Sequence, residues 1–219
     1  KGAAKSNCLN DTTIFDGSLS TLGTNKWEWE FNNSGNFIDF GVNAKFRFSS
    51  SGWNYYKLRI TKFITSDSTQ TCTDIYNDSV YIYKLPEPYF ISKDACLNDS
   101  TIFSNKTKEG DAKIVNWLWD LGNFTPLISD SSFSFKFSQC DTFSITLKAT
   151  DSLTCSKTYF RDIVVSCPPT ASFNSNTACD GENVFFSDSS LSSNFPIISW
   201  KWNISNGVYI NSTDSSRNP

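Results

Sequence analysis

The chain has 219 residues, 38% hydrophobic and 16% aromatic, enough to fill one large core or two to three small ones. A net charge of −3 leaves no cationic field for nucleic acid or anionic lipid, and no apolar run approaches the ~20 residues of a membrane helix, so neither nucleic acid nor membrane insertion is expected of this segment. His and Met are absent. Lack of imidazole removes the commonest general base and metal ligand, which lowers any expectation of catalysis, and lack of Met even at position 1 reads as a piece internal to a longer or processed polypeptide.

In chain order, the first phrase to matter is "CLNDTTIF" from Cys8, because it returns as "CLNDSTIF" from Cys96 and more loosely as "CDGENVFF" from Cys179. Next comes "KWEWEFNN" from Lys26, which returns as "NWLWDLGN" from Asn116 and "SWKWNISNG" from Ser199. Trp119 follows Trp29 by 90 residues and Trp202 follows Trp119 by 83, the same beat that separates Cys155 from Cys72. A period of this length makes each unit a small domain rather than a solenoid turn. Proline punctuates the boundaries, at "KLPEPYF" (84–90) and "CPPTASF" (167–173), as short stiff connectors. The expected domains are therefore 1–85, 86–168 and 169–219, the third broken off after its tryptophan phrase.

Inside a unit the pattern has period two. "KFRF" (45–48), "YKLRIT" (56–61), "SFKF" (134–137) and "FSITLKAT" (143–150) alternate apolar and polar residues between clusters of Asn, Asp, Ser and Gly. That predicts short antiparallel strands in an all-β sandwich of about seven strands per unit. In the tryptophan phrases alternation sends Trp27, Trp29 and Phe31 to one face and Glu28 and Glu30 to the other; Trp117, Trp119 and Leu121 share a face opposite Asn116, Leu118 and Asp120. Trp200 and Trp202 repeat the pair. The aromatic face is expected to enter the core, where each ring buries about 150–250 Å². Asn32 and Asn33, or Gly122, then supply the left-handed residue of a tight turn.

These residues resemble the PKD (polycystic kidney disease) domain, an immunoglobulin-like sandwich with the signature Trp-x-Trp-Asp-Phe-Gly-Asp-Gly. The nearest match runs from Trp117 to Asn123; those from Trp27 to Asn33 and from Trp200 through Asn203 and Ile204 to Gly207 are weaker, and the first glycine of the signature is kept only at Gly122. The family's later Gly-Thr-Tyr-x-Val-x-Leu-x-Val strand is similar to Asp141–Ala149 and, more faintly, to Gly52–Leu58. The resemblance implies an all-β fold of tandem immunoglobulin-like (PKD-type) β-sandwiches arranged head to tail. With a cysteine before the second strand and a proline lead-in to Phe90 and Phe173, it looks most like PKD repeats of Bacteroidota surface proteins, including gliding-motility adhesins, and like spacers of secreted hydrolases.

Seven cysteines, at positions 8, 72, 96, 140, 155, 167 and 179, include no C-x-x-C pair, which disfavours zinc and favours disulfides in an oxidising compartment. Bonding within each unit would join Cys8 to Cys72 and Cys96 to Cys155, but immunoglobulin topology puts those partners at opposite ends of a strand, about 20 Å apart. The alternative is a staple between neighbours, Cys8 to Cys155, leaving Cys72, Cys96 and Cys179 for units outside the chain. Both stay open at the level of sequence. Cys140 with Cys167 satisfies either. Asn-x-Ser/Thr triplets start at Asn10, Asn32, Asn77, Asn98, Asn105, Asn123, Asn203 and Asn211; they would be glycosylation acceptors in a eukaryotic secretory pathway, and a composition this rich in Asn, Ser and Thr also produces them unaided.

The expected function is structural: a stalk or filament segment of a large secreted or cell-surface adhesin, extracellular, with neighbouring repeats as partners and like chains, surface polysaccharide or other cells as further ones. A second reading makes the chain a carbohydrate-binding or spacer module of a secreted multidomain hydrolase, with Trp53, Tyr55, Tyr81 and Tyr83 stacking on sugar. No cofactor is expected; calcium at Asp120 or Asp130 lacks the D-x-D-x-D-G loop that would support it. An enzyme is not expected, because the carboxylates single out no pair and neither G-x-x-x-x-G-K-[ST] nor G-x-S-x-G occurs.

Overall fold

A computed structural model describes residues 3–4, 7–20, 23–64, 69–122, 127–193 and 195–202, and among them the chain is all-β, with no helix. The strands are β1 (Ala3–Ala4), β2 (Asn7–Cys8), β3 (Thr12–Asp16), β4 (Lys26–Phe31), β5 (Ile38–Asp39), β6 (Asn43–Arg47), β7 (Gly52–Phe63) and β8 (Thr71–Tyr83). They continue with β9 (Phe90–Ile91), β10 (Ala95–Cys96), β11 (Ser100–Asn105), β12 (Ile114–Asp120), β13 (Phe133–Lys136), β14 (Thr142–Asp151) and β15 (Ser156–Ser166), then β16 (Phe173–Ser175) and β17 (Phe186–Asp188). The described chain forms two compact units, one of Lys1–Tyr89, Thr107–Leu118 and Leu147–Tyr159, the other of Phe90–Lys106, Trp119–Thr146 and Phe160–Pro219.

Strands β1 to β8 make a first sandwich with sheets ordered β1-β3-β6 and β2-β8-β7-β4-β5. All neighbours are antiparallel except β2 and β8, which run parallel with Cys8 opposite Tyr83. Strands β9 to β15 repeat the plan as β13-β11-β9 and β10-β15-β14-β12, again with one parallel pair, Cys96 opposite Ser166. A first strand that pairs with the second in one sheet, then crosses to lie parallel to the last strand in the other, is the wiring of an immunoglobulin-like sandwich. The fold is therefore tandem immunoglobulin-like β-sandwiches. β16 and β17 form an antiparallel pair that opens the same pattern again.

Period-two sequence becomes period-two burial. In β3, Thr13 and Phe15 are fully buried while Ile14 between them is exposed. In β14, Phe143, Ile145, Leu147 and Ala149 are all buried. The first core is largely aromatic: Phe15 lies 4.9 Å from Phe31 and 4.8 Å from Tyr56 between ring centroids, and Phe31 stacks on Phe46 at 4.2 Å. Trp29 is wholly buried and donates its indole N–H to the Gly41 carbonyl at 3.0 Å. Trp119 is wholly buried and donates to the Asp130 carbonyl at 2.9 Å. A buried indole needs such an acceptor, and both sandwiches supply it from the chain that follows the tryptophan strand. Asn32 and Asn33 (φ 59° and 51°) and Gly122 (φ 66°) take the left-handed conformation right after those strands.

Glu28 and Glu30, placed by alternation opposite the core, are not left to solvent: they are 8% and 1% exposed. Strand β5 flanks β4 on its free side, with Ile38 opposite Trp29 and Asp39 opposite Glu28. The register of β4 with β7 brings Glu28 opposite Arg59 and Glu30 opposite Lys57. Glu28 bonds Arg59 at 2.9 Å and Lys26 at 2.8 Å; Glu30 bonds Lys57 at 2.8 Å and accepts the Gly35 N–H at 2.8 Å. Arg59 in turn lies over the Phe37 ring, 4.2 Å from its centroid. The acids survive burial because each is paired and hydrogen-bonded.

The Arg59 hydrogen bond, then that of Lys26, holds the Glu28 carboxyl at about 2, against an ordinary 4.5. A carboxyl lowered on folding contributes stability above its unfolded value and loses it as pH falls through the folded one. Glu28→Gln is therefore expected to cost about 1–2 kcal/mol at pH 7, discounted for the exposure of both cations, and almost nothing near pH 2. Urea melts at both pH values read the difference.

Candidate functional site

The features that tie successive parts of the chain together are two disulfides and a set of backbone pairings around the first proline connector. Cys8 is bonded to Cys155, with Cα atoms 5.5 Å apart and 147 residues between them in sequence. Cys140 is bonded to Cys167 at a Cα separation of 5.4 Å. Cys72, Cys96 and Cys179 are exposed free thiols. In the chain-entropy account, closing a loop as long as the first contributes about 5 kcal/mol against the unfolded chain.

Cys155 is presented by a tight turn from Asp151. The Asp151 carboxylate accepts the backbone N–H groups of Leu153 and Cys155, each at 2.9 Å, and Thr154 takes φ 68°. The Asp151 N–H donates to the Cys155 carbonyl at 2.9 Å, closing the turn, and the Ser152 N–H donates to the Lys113 carbonyl at 2.9 Å. Cys8 is held equally firmly. It ends β2, the Leu9 N–H donates to the Tyr83 carbonyl at 2.9 Å, and Asn10 follows at φ 71°. Both cysteines sit on backbone fixed by local hydrogen bonds, so their bond joins two rigid supports.

The connector between them is pinned as well. The Lys84 N–H donates to the Asp111 carboxylate at 2.7 Å and the Asp111 N–H returns to the Lys84 carbonyl at 3.3 Å. Glu87 and Lys108 exchange two backbone bonds at 2.9 and 3.0 Å. Gly110 permits this approach, since a Cβ there would overlap the Lys84 carbonyl oxygen and come within 2.7 Å of the Leu85 carbonyl carbon.

The aromatic residues singled out as sugar contacts lie on the outer face of β7 and β8. Trp53 is 65% and Tyr55 55% exposed, while Tyr81 and Tyr83 are half-buried. Trp53 stands opposite Tyr81 across the strand pair, edge to face at 5.3 Å, and Tyr81 meets Tyr83 at 5.3 Å. The Asp111 carboxylate raises the Tyr81 phenol, by its charge first and hydrogen bonding after, so this row reaches the same residue that pins the connector.

Trp27 and Trp117 are half-buried, each with a buried indole N–H that has no hydrogen-bond acceptor among the described residues, whereas Trp29 and Trp119 are the central anchors. Trp202 stands 5.5 Å from Phe173 and 5.8 Å from Phe186. That copies Trp119 against Phe90 (5.0 Å) and Phe103 (6.1 Å). Trp200 is half-buried; Asn123, Asn203, Ile204, Gly207 and the triplet at Asn211 lie outside the described residues. Asp120 accepts the Gly122 N–H at 2.9 Å, a turn-forming role, and among the described residues no three His, Cys, Asp or Glu side chains gather as metal ligands would. The buried Glu28 and Glu30 pairs escaped sequence reasoning; the i, i+2 spacing of Lys26, Glu28 and Glu30 opposite Lys57 and Arg59 was the available signal.

No protein-family model and none of the curated proteins matches the chain. Among solved structures it is similar to the PKD1 domain of the metalloprotease PrtV of Vibrio cholerae, with 28% identity and a TM-score of 0.35 over 37% of this chain and 96% of that one. It is similar to the PKD1 domain of Epp of Vibrio anguillarum, with 24% identity and a TM-score of 0.36 over 39% and 99%. The eight N-terminal immunoglobulin domains of the Down Syndrome Cell Adhesion Molecule match at 13% identity and a TM-score of 0.41, over 90% of this chain and 32% of that one.

Proposed function

We propose that the chain is a non-catalytic, load-bearing stalk segment of a large extracellular, cell-surface protein, built of PKD-like beads at 1–85, 86–168 and 169–219, in the manner of Bacteroidota adhesin arrays that include those of gliding motility. The observation that carries this reading is the Cys8–Cys155 bond, which closes a 147-residue span from the start of one bead to the last hairpin of the next. Load entering at the N-terminal end passes through that sulfur bridge instead of through the strands it spans. Disulfides of this kind persist in oxidising surroundings, in line with a place outside the cell. The exposure of Trp53 and Tyr55 favours a second reading, a carbohydrate-binding or spacer module of a secreted hydrolase, in which those rings stack on sugar.

The test is antibody against this chain on unpermeabilised cells of the source. Surface labelling is expected, and deleting 86–168 from the parent protein should draw a tag on its far end toward the cell. Labelling only after permeabilisation overturns the stalk, and loss of label together with retention on a glycan array through Trp53 favours the second reading.

A further inference from the structure

An apolar groove of about 1070 Å³ has the free Cys96 in its lining, together with Ile91, Ala95 and Ile102 of the second sandwich and Phe195 and Ile198 from the chain beyond it. Its walls have counterparts around Cys8. Cys96 ends β10 as Cys8 ends β2; each pairs in parallel with a last strand, Ser166 and Tyr83 respectively. The Leu97 N–H donates to the Ser166 carbonyl at 2.9 Å as that of Leu9 does to Tyr83, and Asn98 (φ 65°) copies Asn10 (φ 71°). Cys167 and Pro169 on a second wall stand 83 residues after Lys84 and Pro86 of the first connector, and Pro196 on a third stands 83 after Lys113.

Around Cys8 this same set of walls is filled. The turn Asp151–Cys155 bonds Cys8 through sulfur on one side and the Lys113 carbonyl through the Ser152 N–H on the other. We propose that the Cys96 groove is a receptor for a cysteine-bearing hairpin turn of the Asp151–Cys155 kind from a further like repeat, closed by a disulfide to Cys96, so that the staple recurs along the array. Cys72, which stands 83 residues before Cys155 and is exposed opposite Lys62 in the β7–β8 pair, is then the donor half of a staple facing the other way. The inference rests on the stalk reading only for its biological setting; the groove and its counterpart are independent of it.

The chemistry is thiol–disulfide exchange. A synthetic peptide of residues 149–158 carries its cysteine as a mixed disulfide with 5-thio-2-nitrobenzoate. The Cys96 thiolate attacks the peptide sulfur, a new S–S bond forms, and thionitrobenzoate leaves with the electron pair of the broken bond, so no other oxidant is needed. The oxidised 219-residue chain is treated with this peptide or with a scrambled one activated identically, and adducts at Cys72, Cys96 and Cys179 are counted by mass spectrometry.

The expected result is a preference for Cys96 over Cys72 and Cys179 that is at least about tenfold greater for the native peptide than for the scrambled one, and that Ile102→Glu abolishes. Ile102 is 67% exposed, so that variant folds. Equal distributions with the two peptides, or a preference that Ile102→Glu leaves intact, overturn the proposal while leaving the Cys8–Cys155 bond and the stalk reading untouched.

Discussion

Pulled by its two ends in a force spectrometer, the oxidised chain is expected to withhold about 50 nm of contour length that appears once the disulfides are reduced. The reason is the path of the load. A bond between Cys8 and Cys155 shunts tension past the 147-residue span between them, and each residue extended contributes ~3.3–3.6 Å. With the bridge intact both aromatic cores lie inside the shunted span, apart from the strand that follows Cys155. Cys8→Ser separates this bond from the other: the Cys140–Cys167 pair spans only 27 residues and withholds about 9 nm by itself. Equal total lengths with and without reductant would remove the shunt and, with it, the mechanical reading.

The second large effect concerns the cores. Trp29→Ala and Trp119→Ala should each destabilise their own sandwich by about 3–5 kcal/mol, the range for emptying a buried aromatic site. The orphaned Gly41 or Asp130 carbonyl adds to that cost, because its indole donor is lost in a dry interior. A domain of 80-odd residues has a total stability on the order of 4–12 kcal/mol, so the altered sandwich is expected to unfold below or near 37 °C. The half-buried Trp27 and Trp117 set the internal control: their replacement by Ala should cost about half as much. Near-equal effects at all four positions, read by urea denaturation with tryptophan fluorescence and circular dichroism, would mean that the rings do not divide into anchors and flanks.

Much of this arrangement is legible in the residues themselves. Alternation in "FSITLKAT" identifies the buried face of β14, and the tryptophan phrases mark the central strand of each sandwich, because one period-two rule governs strand geometry and burial alike. The left-handed turn at Asn32, Asn33 and Gly122 is legible for a similar reason: only residues that tolerate positive φ close so tight a turn. Several Asn-x-Ser/Thr triplets have the same origin, since Asn10, Asn32 and Asn98 occupy left-handed positions.

What the alternation rule misses is tertiary. It sends Glu28 and Glu30 to the outer face and says nothing of whether that face is covered; the pairing of β4 with β5 and the cations of β7 decide it. The junction is less legible still. Asp111 and Gly110 look like ordinary loop residues, and their service to the Lys84 backbone depends on a contact 27 residues distant in sequence. Disulfide partners divide the same way: parity and spacing leave two pairings for Cys8, and only the fold brings Cys155 to it.

The Cys8–Cys155 staple can be read from a peptide map of the unreduced protein, digested under acid conditions that prevent exchange. The Cys8 peptide is expected joined to the Cys155 peptide, and Cys140 joined to Cys167. Recovery of Cys8 joined to Cys72 would contradict the staple, because each bead would then be closed on itself and load would pass from one to the next through the peptide backbone of the connector alone.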